Sequence, residues 1–214
     1  MPGRAGLVFD LDRVLLDGRR AWVYTLEQAI LAACGRRLAV DPLLAEYGER
    51  PWRHALAVLL GDEAERRRCE SLCEEIARRS ALKQLLVHEG IGMALDGVRA
   101  AWVEMGAISR EPHAVALKQV EATGLERFLT VLAATPPGTT WDAPARFEEC
   151  RGYMGVALER CLFVSAAADD LRAIGARGAI CRGAGWCTTE EVGCPALHEP
   201  RELRDAALSL AWEP

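Results

Sequence analysis

Short apolar runs recur along this chain with helical patterns between them, and that alternation limits the fold more than anything else in it. The runs are Leu7–Asp10, Met105–Ser109, Phe128–Ala133, Cys161–Val164 and Ala179–Arg182. Each is too short for a helix and rich enough in apolar residues for a buried strand. Between them, Met93–Trp102, Pro112–Thr123 and the stretches 143–157 and 169–176 have helical spacing, and Gly124 closes the second. Strands alternating with helices predict an α/β fold with a doubly wound parallel-sheet (Rossmann-like) core.

One segment breaks the alternation. From Gly18 to about Val87 there are several helices and no convincing strand. Trp22, Leu26, Ala29 and Ile30 recur at helical spacing. Asp41-Pro42 and Pro51 each open a further helix in N-cap or first-turn style, and Glu63–Arg79 is a charged amphipathic one. Residues 18–87 are therefore expected to form an all-helical cap inserted into a core made of 1–17 and 88–214. Near the other end, Thr188–Glu191 opens a short helix, and Pro200–Leu210 is the last one.

The first run ends in chemistry. Gly6-Leu7-Val8-Phe9-Asp10-Leu11-Asp12-Arg13-Val14-Leu15 is an apolar strand followed by two aspartates one residue apart. At the carboxyl edge of an open α/β sheet, where ligands bind, both carboxylates can converge on one pocket. Such a pair can hold a divalent cation, or divide the roles of nucleophile and proton carrier.

This segment resembles the first motif of the haloacid dehalogenase-like (HAD) superfamily, in the subgroup with a helical cap after the first strand. The resemblance implies that Asp10 attacks a phosphoryl group and that Asp12 is the general acid/base. Arg13 stands where most members have glycine. Met105-Gly106-Ala107-Ile108-Ser109 corresponds to the second motif, and Ser109 would then bond a phosphate oxygen. The third motif should supply a lysine, but Trp141 holds its place within Thr140–Phe147. The chain's two lysines, Lys83 and Lys118, lie elsewhere, which leaves Arg13 or Arg110 as a substitute cation. The fourth motif follows Cys161–Val164. Its first acidic position is Ala166 and its second is Asp170, with Asp169 as an extra carboxylate. The implied metal ligands are thus Asp10, Asp12, Asp170 and Asp169. The implied cofactor is magnesium, weakly held or absent.

Composition narrows the partners. The chain has 214 residues and a formal net charge of -5, so nothing marks a nucleic-acid footprint. Glu65-Arg66-Arg67-Arg68 reads as a solvated helix face. No uncharged run approaches the ~18 residues of a membrane span, and nothing resembles a signal peptide, so a cytoplasmic protein is expected. Eight cysteines without a CxxC pair, and four histidines without ligand spacing, match no zinc site.

Two functions follow from this set. One is a HAD-like hydrolase acting on a small phosphorylated metabolite through an aspartyl-phosphate at Asp10, with impaired or unusual activity. Losing one preorganised charge-stabilising group costs about 10²–10³ in rate, and two are missing. The other is a non-catalytic pseudophosphatase, a binding or regulatory protein. Its amphipathic cap helices leave room for a homodimer or a protein partner. A dehalogenase fits less well, because Asp12 is present and Trp141 replaces lysine.

Overall fold

Every pairing in the main sheet is parallel. The computed structural model describes residues 4–40, 52–188 and 192–212. Among the described residues eight strands are formed: β1 (Gly6–Asp10), β2 (Leu16–Asp17), β3 (Leu86–Val87), β4 (Glu104–Pro112), β5 (Val131–Thr135), β6 (Cys161–Ser165), β7 (Ile180–Ala184) and β8 (Ala196–Leu197). The helices are α1 (Arg19–Cys34), α2 (Trp52–Leu59), α3 (Glu63–Arg79), α4 (Ile91–Ala100), α5 (His113–Thr123), α6 (Ala143–Met154), α7 (Ala168–Gly175) and α8 (Glu202–Trp212).

The six-stranded sheet has the order β5-β4-β1-β6-β7-β8. Successive strands run outward from β1 on one side, and β6 then restarts on its other side. This is the Rossmann-type order, with its switch point between β1 and β6. The α/β core expected from the alternation is the core observed. All five residues of β1 are buried, as they are in β6, which is why these segments read as continuous apolar runs. On one face, Val8, Ile108 and Phe163 meet Phe147, Cys150 and Met154 of α6 and Leu171 and Ile174 of α7. Phe147 and Phe163 meet edge to face with ring centroids 5.8 Å apart. The approach is close enough to require glycine in β4. A Cβ on Gly106 would lie 2.4 Å from the Cys150 sulfur.

The chain divides into two compact units: Met1–Leu16 with Val87–Pro214, and Asp17–Leu86. The second unit is helical. Its core gathers Trp22, Leu26 and Ile30 of α1, Leu56 of α2, Leu60, and Cys69 and Cys73 of α3. The Sγ atoms of Cys34 and Cys69 lie 3.8 Å apart, and all eight cysteines are free thiols. The short strands β2 and β3 pair with each other, a two-residue ladder that hydropathy did not mark.

Element ends differ from the sequence reading in instructive ways. The strand expected at Phe128 begins at Val131. A 3₁₀ turn, Leu125–Arg127, follows Gly124, and the Arg99 and Arg127 guanidiniums stack on the Phe128 ring. The strand expected to stop at Ser109 runs on to Pro112, so Arg110-Glu111-Pro112 is not a free turn. β8 went unpredicted, being only two residues long. The helix start read at Asp41-Pro42, and all of the one read at Thr188–Glu191 except Thr188, fall outside the described residues. No described helix is long and apolar enough to cross a membrane.

Candidate active site

The carboxyl ends of β1, β4 and β6 bring the acidic residues together. Asp10 is the last residue of β1 and is 1% exposed. Beyond it the chain makes one π-turn, Leu11–Leu15, whose last bond runs from the Leu16 N–H to the Leu11 carbonyl. Such turns are rare and often occur at functional sites. Here it lets Leu11, Val14 and Leu15 enter the core while Asp12 reaches β4. The Ser109 hydroxyl donates to Asp12 Oδ1 at 2.8 Å, and the Arg110 N–H donates to Asp12 Oδ2 at 2.7 Å.

The register of β4 explains how Arg110 gets there. Ser109 pairs with Ala134 of β5, but the next pair is Pro112 with Thr135. Two residues, Arg110 and Glu111, are therefore bulged out of the ladder. Bulges re-aim side chains, commonly beside active sites. This one directs the Arg110 guanidinium to two carboxylates. Nη1 donates to Asp10 Oδ2 at 3.2 Å, and Nη2 donates to Asp170 Oδ2. Its Cζ lies over the Trp141 ring, 4.7 Å from the centroid. The Trp141 indole N–H in turn donates to Asp170 Oδ1 at 3.1 Å.

Asp10 is held by three donors. Besides Arg110, its Oδ2 receives the Ser165 hydroxyl at 2.9 Å, and its Oδ1 receives the Arg13 N–H at 3.3 Å. Ser165, at the end of β6, accepts the Ala167 N–H at 3.0 Å, so its donor is aimed at Asp10. No motif in the sequence marks Ser165. A buried hydroxyl at the end of a central strand, one position before Ala166, was the available signal. The sequence marks Trp141 only as the replacement of a lysine, whereas the structure gives it two contacts of its own.

Burial shapes the charges. It pushes the Asp12 carboxyl up from 3.8 to about 7, helped by the neighbouring Asp10 charge and opposed by the Arg110 N–H and Ser109 hydroxyl. Burial also raises Asp170, against the opposing Arg110 charge and the Trp141 N–H. For Arg110, burial alone would favour the neutral form, but the Asp10 and Asp170 charges outweigh it and push its pKa up. The site therefore contains a fixed positive charge.

The sequence-predicted residues divide as follows. Asp10, Asp12, Ser109, Arg110 and Asp170 are joined by hydrogen bonds. Arg13 contributes its backbone N–H, and its charge also acts on Asp170. Asp169 does not join them. Its side chain is 91% exposed and paired with Arg172 at 2.9 Å, because it faces outward from the first turn of α7.

Magnesium fits this donor set poorly. It needs nearly octahedral oxygen ligation. Asp170 Oδ1 faces the indole N–H, its Oδ2 faces Arg110, and Asp10 Oδ2 faces Arg110 and Ser165. Position 166 offers no side-chain oxygen. Among the described residues, no group of three His, Cys, Asp or Glu side chains is arranged to hold a metal ion.

No protein-family model and no curated protein matches the chain. Solved structures do. A HAD-superfamily hydrolase of subfamily IA from Geobacter sulfurreducens superposes with a TM-score of 0.79 at 18% identity, covering 96% of this chain and 97% of that one. A predicted phosphatase from Clostridium acetobutylicum gives 0.73 at 12% identity over 96% and 99%. A HAD family hydrolase from Deinococcus radiodurans, with bound phosphate and sodium, gives 0.71 at 19% over 98% and 97%. The chain has the fold of the haloacid dehalogenase-like hydrolases.

Proposed function

We propose that this protein is a slow phosphohydrolase of small phosphorylated molecules, using Asp10 as nucleophile and Asp12 as general acid/base. The observation that carries the reading is the hydrogen-bonded set of Asp10, Asp12 and Ser109, linked through Arg110, at the carboxyl edge of the sheet. Its support in comparison is the likeness to HAD-fold hydrolases.

In this mechanism an Asp10 oxygen attacks phosphorus and the ester oxygen leaves. Asp12, protonated up to about pH 7, donates its proton to the leaving oxygen. The Asp12 carboxylate then takes a proton from the water that hydrolyses the aspartyl-phosphate. The Ser109 hydroxyl and Arg110 N–H orient Asp12 through both steps. No step passes through magnesium.

The second reading, a non-catalytic binding protein, is favoured by one contact: the Arg110 guanidinium on the Asp10 carboxylate, which occupies the nucleophile. A phosphatase screen over a metabolite panel, comparing the wild type with Asp10→Asn, separates the two. Phosphate release lost in Asp10→Asn supports the hydrolase. No release by the wild type, with retained ligand binding, supports the alternative.

A further inference from the structure

We infer that Arg110 is the chain's own phosphate counter-ion, and that this site takes a phosphate monoester without a divalent metal. The inference rests on reading the site as a phosphoryl site and deepens that reading. The residues that depart from the family pattern account for one another. Trp141, in place of the lysine, supplies a ring under the guanidinium and an N–H to Asp170. Asp170, a metal position in the resemblance, anchors Arg110 instead. Ala166, at the other such position, supplies no carboxylate for a metal. The bulge at Arg110 and Glu111 is what brings the side chain in. Two departures, one retained aspartate and one bulge thus make a single arrangement that keeps a positive charge at the site.

Accessibility gives this cation its role. The Arg110 side chain is 28% exposed, whereas that of Asp10 is 1% exposed. The guanidinium is therefore the charged group an incoming anion meets. Its fork carries five N–H donors, and two of them are on carboxylates. An arriving phosphate oxygen takes the Nη1 donor from Asp10, while Asp170 and Trp141 keep the rest of the group in place. This frees Asp10 when, and only when, a phosphate is there to be attacked. The bond to Asp10, at 3.2 Å, is at the long end of the N–H···O range, which makes it the one to yield.

The test is isothermal titration with inorganic phosphate, in EDTA and again in magnesium, on the wild type, Arg110→Met and Arg110→Lys. Saturable binding in EDTA is expected, changing less than about twofold with magnesium. Arg110→Met should weaken it by about tenfold or more. Arg110→Lys keeps the charge without the fork, guards against a misfolded variant, and should weaken binding several-fold. Binding that appears only with magnesium would overturn the inference, as would either variant binding like the wild type. The two proposals fail separately. Binding in EDTA without turnover defeats the hydrolase alone. Turnover that needs magnesium and is lost in Asp10→Asn defeats the metal-free site alone.

Discussion

Arg110 holds its guanidinium carbon over Trp141, 4.7 Å from the ring centroid, and the same indole donates its N–H to the carboxylate that holds Arg110. One tryptophan thus fixes both members of an ion pair. A partly desolvated cation–π contact is worth about 0.5–2 kcal/mol. A hydrogen bond to a charged group adds about 1.5–3 kcal/mol.

Trp141→Phe keeps a ring for the guanidinium and loses the N–H, so it should destabilise the fold by about 1–2 kcal/mol. Trp141→Ala loses both and should cost more, by about another 1 kcal/mol or above. Urea midpoints of the three proteins check the order.

Asp12 predicts a pH dependence. Its carboxyl is raised from 3.8 to about 7 by burial and by Asp10. Between about pH 4 and pH 7 the folded chain keeps a proton that the unfolded chain has released. Stability therefore falls as pH rises through that window, by at most about 1.4 kcal/mol per pH unit from this group. Asp12→Asn has no such proton and should flatten the slope. Urea titrations at several pH values would show it, and equal slopes in both proteins would count against the buried acid.

The fold was legible in the sequence because its central strands are buried on both faces. Leu7-Val8-Phe9 and Leu162-Phe163-Val164 are apolar without interruption, as the middle of a parallel sheet requires. The two aspartates were legible because β1 ends at Asp10 and the π-turn that follows starts at once. Arg110 was readable as a candidate cation, but not its target. That depends on a register shift in β4, and nothing in the local composition of Ser109-Arg110-Glu111-Pro112 specifies a bulge rather than a turn. Trp141 and Asp170 are 29 residues apart and meet only through the packing of α6 and α7. Ser165 looked like the tail of a strand, and its role depends on Asp10 lying across the sheet.

The neighbours Asp169 and Asp170 should behave very differently. Asp169 is 91% exposed, and an exposed pair with Arg172 contributes little. Asp169→Asn should change stability by less than about 0.5 kcal/mol and leave phosphate binding unchanged. Asp170→Asn removes the anchor of a half-buried guanidinium and should cost about 2 kcal/mol or more. It should also weaken phosphate binding. Thermal melts and phosphate titrations on the two variants make the comparison.

Gly106 tests the packing that sets β4 in place. A methyl there would sit 2.4 Å from the Cys150 sulfur, with the Met154 sulfur at 3.1 Å and the Val131 carbonyl at 3.3 Å. Gly106→Ala should destabilise by about 1–3 kcal/mol through overpacking. Cys150→Ala in the same chain should recover part of that loss, measurable as a double-mutant coupling.

The central claim is that Asp10 attacks phosphorus. Acid-quenching the protein after mixing with acetyl phosphate radiolabelled in its phosphoryl group tests it most directly. The account predicts label on the denatured wild type, released by hydroxylamine and missing from Asp10→Asn. Equal labelling of the two proteins, or none on the wild type, would contradict it.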